Sequence, residues 1–244
     1  ELEGMGRLIA VDLIGYGLSD RPDIDYEISD HIRYLDAFIE TLGLDRMTFV
    51  IHDWGSFLGF HYAHRHPERV RGLAFMEAML TPIPGYDAFD PDARAFFQTL
   101  RASQENAERM MVDENQFIEG ILPAMTKRTL EPHEHDAYRT PWTDPSDRRI
   151  LCKFPQNLCI GGEPEVIHDK QTAYMEWLEQ TPIPKLLLHA KPGVLIPPQA
   201  AAWYREQLPN TETVDVGEGL HYIQEDEPRA IGQAIAHWMT RHGL

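Results

Sequence analysis

Basic residues are scarce in this chain: 22 Lys and Arg stand against 39 Asp and Glu, for a net charge of −17. Such a charge favours solubility and disfavours phosphate backbones and anionic lipid surfaces. Nucleic acid and membranes are therefore set aside as partners. Long apolar runs are missing too. Hydrophobic residues make up 43% of the sequence, yet no run approaches the ~18 residues a membrane helix needs. Cysteine is reduced to Cys152 and Cys159. Their spacing matches no zinc motif, and two thiols build no disulfide framework, so free thiols in a reducing, cytoplasmic setting are expected. No phosphate loop is present, because Gly15-Tyr16-Gly17 lacks a third glycine and a following Lys-Ser/Thr. Repeats and low-complexity linkers are absent as well. The first residue is Glu1, not Met, and strand-like residues follow almost at once. The N-terminal part, with whatever targeting signal it carries, is therefore expected to lie outside this sequence.

What is there is an alternation of strand and helix patterns in a chain of 244 residues, enough for one domain or a core with a lid. Leu8–Ile14 is a short apolar run bounded by Gly15 and Gly17 and reads as a buried strand. Asp30 is placed to cap a helix in which Ile32, Leu35, Phe38, Ile39 and Leu42 recur at helical spacing and which Gly43 ends. Met47–Ile51 reads as a strand, Ser56–His66 as a helix and Val70–Met76 as a strand. From about Leu80 to Thr181 the texture changes to helix formers, aromatics, Met and Pro with no clear strand. The alternation then resumes: Lys185–His189 strand, Pro198–Leu208 helix, Glu212–Val216 strand. A last helix begins near Asp226 and carries Ile231, Ile235, Trp238 and Met239 on one face. This order predicts an α/β fold with a mostly parallel sheet covered on both faces. Residues 1–79 and 182–244 form its core, and 80–181 form a helical cap.

Chemistry concentrates at three strand ends. The run Met47–Ile51 passes through His52-Asp53-Trp54-Gly55-Ser56 directly into a helix, the pattern of a nucleophile elbow with Asp in the exposed place. On this pattern alone Asp53 reads equally as a cap for the helix that follows. Ile51 is larger than the small residue the general motif prefers. A carboxylate nucleophile attacks saturated carbon and leaves an ester, so a base must activate water and an acid must hold the base. Of 12 histidines, His221 has the right place, after the last strand and before the last helix. Glu77 follows Val70–Met76 and is the acid candidate, although an ordinary polar strand end reads the same. The other usual acid position offers only Ala190-Lys191-Pro192-Gly193-Val194-Leu195, with no carboxylate, which favours Glu77. Trp54 reads either as packing or as an indole N–H donor to a departing anion.

Taken together these stretches resemble the haloalkane dehalogenase family. The resemblance is carried by His52-Asp53-Trp54-Gly55-Ser56, Asp12-Leu13-Ile14-Gly15-Tyr16-Gly17, Phe75-Met76-Glu77, Phe154-Pro155, Gly162-Glu163-Pro164, Pro192-Gly193-Val194-Leu195 and Leu220-His221-Tyr222-Ile223-Gln224-Glu225-Asp226. It covers essentially the whole chain. It implies an α/β-hydrolase fold with the cap inserted after the sixth strand. Asp53 would be nucleophile, His221 base, Glu77 acid and Trp54 halide donor. The resemblance also implies a pocket from Phe89, Phe97, Phe117, Ile121, Phe154, Pro155, Leu158, Val194, Leu195 and Tyr222. The implied reaction is hydrolysis of a small halogenated hydrocarbon to alcohol and halide, with water as co-substrate and neither metal nor organic cofactor. Oligomeric state is left open. Rival readings are an epoxide hydrolase using Tyr138 or Tyr174 as acid, a cofactor-free luciferase-like monooxygenase, and a non-catalytic binder of hydrophobic ligands.

One family feature is absent, the His-Gly-Asn-Pro stretch whose Asn is the second halide donor. By the resemblance, Leu8–Ile14 and Met47–Ile51 would flank a further strand that precedes both. They would then lie about 10 Å apart, twice the ladder spacing. That strand and the Asn are expected from a preceding segment or another chain, and the chain as written is not expected to fold alone.

Overall fold

The computed structural model describes residues 1–244. Helix α1 (Ile28–Thr41) opens with a reciprocal capping box in which the side chains of Glu27 and Asp30 each accept the other's backbone N–H. Glu27, not Asp30, is thus the cap residue. Asp30 works from inside the first turn, its Oδ2 3.2 Å from Glu27 N. Past the helix end Gly43 turns the chain at φ 58°. Strand β1 (Met47–His52) leads into α2 (Asp53–Arg65) without a loop, and β2 (Val70–Ala78) follows. A helical block comes next, containing α3 (Pro91–Ala102), α4 (Pro132–Arg139) and α5 (Glu165–Leu178). Two π-helical turns, Arg109–Asp113 and Phe117–Ile121, lie between α3 and α4. Strand β3 (Lys185–Pro192), α6 (Pro198–Gln207), β4 (Thr211–Gly219), a short turn Ile223–Asp226 and α7 (Pro228–His242) complete the chain. No helix is long and apolar enough to cross a membrane.

The four strands are all parallel, in the order β1-β2-β3-β4. Side chains alternate across such a sheet, and both faces are apolar here. Leu73, Phe75 and Leu187 point into a core shared with α1, α2, α5 and α6. Ala74, Met76, Leu186 and Leu188 point the other way, onto Ile231, Ile235 and Trp238 of α7. A third cluster, around Met110, Met111, Trp142 and Leu151, serves the helical block. Burial on both faces is why the central strands β2 and β3 carry the unbroken apolar runs Leu73–Met76 and Leu186–Leu188.

Three further expectations need correction. Leu8–Ile14 is not a buried strand. It has no ladder partner, and Leu8, Ile9 and Val11 are exposed by 55%, 41% and 42%. Strand propensity expresses itself only against a neighbour, and β1 pairs with β2 alone. Leu13 still packs against the main core. A cleft of about 340 Å³ separates Ala10–Ile14 from Tyr34, Leu35 and Phe38 of α1. Leu8–Ile14 and β1 do not pair with each other, so the two do not close into one ladder, and the edge of β1 away from β2 is unpaired. Second, α2 starts at Asp53 and not at Ser56, because Asp53 itself makes the turn. Third, β4 runs on through Gly217 to Gly219, and the last helix is broken at Glu227, where Pro228 starts α7 as its N1 residue.

Candidate active site

Asp53 stands where β1 becomes α2, with φ 47°. A non-glycine residue in this left-handed region is strained by about 1–3 kcal/mol, and the surroundings hold it there. Ser56 Oγ donates to Asp53 O at 2.5 Å and accepts Met79 N–H at 2.8 Å. The Ser56 hydroxyl therefore staples the elbow to the segment leaving β2. The bulk of Ile51 is admitted by Gly59 of α2, where a Cβ would lie 3.0 Å from the Ile51 side chain. Asp53 and the N–H groups of Trp54 and Gly55 thus share the open end of a helix, where negative charge is favoured.

Glu77 lies near the end of β2, also left-handed at φ 40° and fully buried. A buried carboxylate must be saturated with donors, and this one is. Leu195 N donates at 2.7 Å, Ile196 N at 3.1 Å and Val194 N at 3.1 Å, and His221 Nδ1 lies 3.2 Å away. Burial pushes its pKa up, but His221 and the backbone N–H groups of Leu195 and Val194 outweigh this and hold it below the usual carboxylate value. With Nδ1–H given to Glu77, the other ring nitrogen of His221, Nε2, faces Asp53 Oδ1 at 3.5 Å. Burial works against the charged imidazole, yet Glu77 and Asp53 reverse this and raise the His221 pKa. The structure therefore brings Asp53, His221 and Glu77 into one line of contacts.

The indole of Trp54 is buried and stacks on Phe154 at 4.9 Å with the planes 14° apart. Tyr16 stacks on Phe154 in turn at 5.4 Å. Tyr222 lies against His221, ring centroids 5.0 Å apart. Leu158 and Leu195 pack against the main core beside Phe154, whose half-buried neighbour is Pro155. Phe117 and Ile121 sit on a π-helical turn and pack against the core of the helical block. Phe89 and Phe97 pair with each other at 4.9 Å and with Tyr86 and Phe96, not with Trp54. Val194 gives its N–H to Glu77 while 42% of the residue is exposed.

The model of the α/β hydrolase fold matches residues 7–228. A haloalkane dehalogenase of Mesorhizobium japonicum is 42% identical over 96% of this chain and 76% of its own length. Another from Bradyrhizobium diazoefficiens is 41% identical over 95% of this chain and 78% of its own. The chain belongs to the haloalkane dehalogenase family. Solved haloalkane dehalogenases superpose on it throughout. DbeA from Bradyrhizobium elkani has a TM-score of 0.91 at 40% identity, covering 95% of this chain and 80% of that one. DatA from Agrobacterium tumefaciens has 0.92 at 35% identity, covering 99% and 82%.

Two residues that touch Asp53 and His221 receive no role on sequence grounds. His52 Nε2–H donates to the main-chain O of His221 at 2.8 Å. Burial, and then the neighbouring His221, lower its pKa, so it is a neutral donor. Ser56, the staple described above, carries a weak signal in the sequence. A Ser three residues after a turning Asp is placed to bond back into the first turn. His52 has no such local signal.

Proposed function

We propose that the chain hydrolyses small haloalkanes to alcohol and halide through an alkyl ester on Asp53. The observation that carries this is the contact order Asp53–His221–Glu77 at 3.5 and 3.2 Å, with the Trp54 indole at the same helix start. An Asp53 oxygen attacks the halogen-bearing carbon from behind. The carbon–halogen bond breaks, and halide leaves with the bonding pair, its charge stabilised by Trp54 Nε1–H. Water then attacks the ester carbonyl carbon while His221 Nε2 takes its proton, and the imidazolium is stabilised by Glu77. The tetrahedral oxyanion faces the N–H groups at the start of α2. Its collapse expels the alcohol, which recovers the proton from His221, and the water's second proton leaves the Asp53 carboxyl for solvent with the halide, which restores the carboxylate.

Residues 80–181 serve in this reading as the cap that closes an apolar pocket over Asp53, with Phe154, Leu158, Leu195 and Tyr222 as its nearest walls. A halide leaves as an anion, so no second acid is needed. The epoxide-hydrolase alternative does need one, and its two tyrosines are engaged elsewhere: Tyr174 Oη donates to Met79 O, and Tyr138 Oη to Glu225. The buried free thiols of Cys152 and Cys159 suit a cytoplasmic setting. Halide release from 1-bromobutane and a panel of chloro- and bromoalkanes tests the reading. Release is expected from the protein and is expected to be abolished in Asp53→Asn. Release at an undiminished rate from that variant would refute the covalent route.

A further inference from the structure

His221 sits on a connection between β4 and α7, and a base so placed needs something to fix it. The helical block supplies this. Met125 O accepts the main-chain N–H of both His221 and Tyr222, at 3.0 and 3.1 Å. Three residues on, Arg128 reaches around the far side of the same connection. Its Nε donates to Glu225 O at 2.5 Å and its Nη2 to Glu225 Oε2 at 2.9 Å. The rest of the guanidinium forks onto Glu134 at 2.6 and 2.9 Å. Asp226 closes the arrangement. It accepts Arg128 N–H at 2.9 Å and Leu220 N–H at 3.2 Å, so the residues on both sides of His221 are tied to one clamp.

We propose that Arg128 is a positioning residue for the hydrolytic half-reaction, holding His221 against Asp53 by clamping the connection that carries it to the helical block. This rests on the reading of His221 as the base. The physical case is selectivity between steps. Alkylation of Asp53 requires no base, whereas hydrolysis requires Nε2 within reach of a water at the ester. A misplacement of about 1 Å costs on the order of 10²-fold in such a step. Only a planar fork satisfies Glu134 and Glu225 together. Lysine carries the charge but not the geometry.

The test is rapid-quench turnover of 1-bromobutane, reading the halide burst for alkylation and the steady rate for hydrolysis. In Arg128→Met the burst is expected within about twofold of wild type while hydrolysis falls at least about tenfold, with alkyl mass accumulating on the peptide that bears Asp53. Arg128→Lys is expected to stay slow, and added guanidinium is expected to restore part of the rate of Arg128→Ala. Tyr138→Phe removes a single bond to Glu225 and keeps the clamp otherwise intact. It should show a smaller loss in the same step, which covers the case of an Arg128 variant that folds poorly. Equal loss in both steps, a rise in KM alone, or full activity of Arg128→Lys would overturn the proposal while leaving His221 as base. A wild-type protein that forms no alkyl adduct would overturn the parent reading, and the proposal with it.

Discussion

Asp53 and Glu77 hold the same uncommon left-handed backbone, φ 47° and 40°, at the ends of two neighbouring parallel strands. Asp53 and Ala78 form the last bridge between those strands. The shared conformation turns both carboxyl groups out of the sheet on the side of His221. Its strain is offset differently at the two sites. Ser56 and the start of α2 stabilise Asp53. Three backbone N–H groups from the segment after β3 stabilise Glu77. The two acids therefore differ in exposure, 35% against 0% at the side chain, as the proposed roles require, one meeting substrate and the other orienting a base.

His221→Phe should separate the two half-reactions. Esterification of Asp53 proceeds without a base and hydrolysis does not, so one equivalent of halide is expected per site, followed by arrest. Mass spectrometry should find the alkyl group on the peptide bearing Asp53. Absence of the adduct at saturating substrate would rule out esterification as the step that precedes hydrolysis.

Trp54→Phe retains the ring that stacks on Phe154 and loses Nε1–H. Loss of one preorganised donor at a developing anion costs on the order of 10²-fold. The alkylation rate is expected to fall by that order and chloride binding to weaken, with thermal stability close to wild type. An unchanged alkylation rate would remove Trp54 from the chemistry.

The charge state of Asp53 should be visible in the pH dependence. The carboxylates of Glu77 and Asp53 raise the His221 pKa in the free protein. A base acts only when neutral, so hydrolysis falls as pH drops through the His221 pKa. Esterification removes the charge on Asp53 and leaves only Glu77, so the His221 pKa falls when the intermediate forms. The midpoint for hydrolysis of preformed alkyl-enzyme is thus expected below the His221 titration seen by NMR in the free protein. Asp53→Asn should shift that titration the same way. A hydrolysis midpoint at or above the free-protein value would show that Asp53 does not act on His221 through its charge.

The parts of this architecture legible in the sequence are those set by local pattern. Val70–Met76 is recognisable because it is buried on both faces, Met47–Ile51 because it is a short apolar run although Val50 stays exposed, and Asp53, Glu77 and His221 because each stands where a strand gives way to a turn. Leu8–Ile14 has the same composition and forms no strand, since a strand exists only as half of a pair. The N–H groups that saturate Glu77 come from Val194–Ile196, and the clamp on the base loop joins Arg128 to Glu225. Both links join residues far apart in sequence, by 117 positions for Glu77 and Val194 and 97 for Arg128 and Glu225. No periodicity records them, because backbone donors carry no residue signature and one Arg among many has no mark of its partner.

Ile51 and Gly59 give a test of the elbow's packing that is independent of turnover. A Cβ on Gly59 would stand 3.0 Å from both Cγ2 and Cδ1 of Ile51, closer than carbon atoms pack. The β-branch of Ile51 is stiff in χ1 and cannot rotate clear of it. Ordinarily Gly→Ala inside a helix stabilises by about 1 kcal/mol, but overpacking a filled core costs ~1–3 kcal/mol. Gly59→Ala is therefore expected to destabilise the protein by about 1 kcal/mol, with the strain passed through Ile51 to the residue two positions on, Asp53. Ile51→Ala removes the obstructing branch and leaves a cavity that a methyl group on residue 59 helps to fill. In that background Gly59→Ala is expected to stabilise by about 1 kcal/mol. Chemical denaturation of the four proteins gives the coupling directly, about 2 kcal/mol if both expectations hold. Additive effects would mean that α2 shifts freely away from β1. The elbow would then owe its strained geometry to Ser56 and not to the close approach of Ile51 and Gly59.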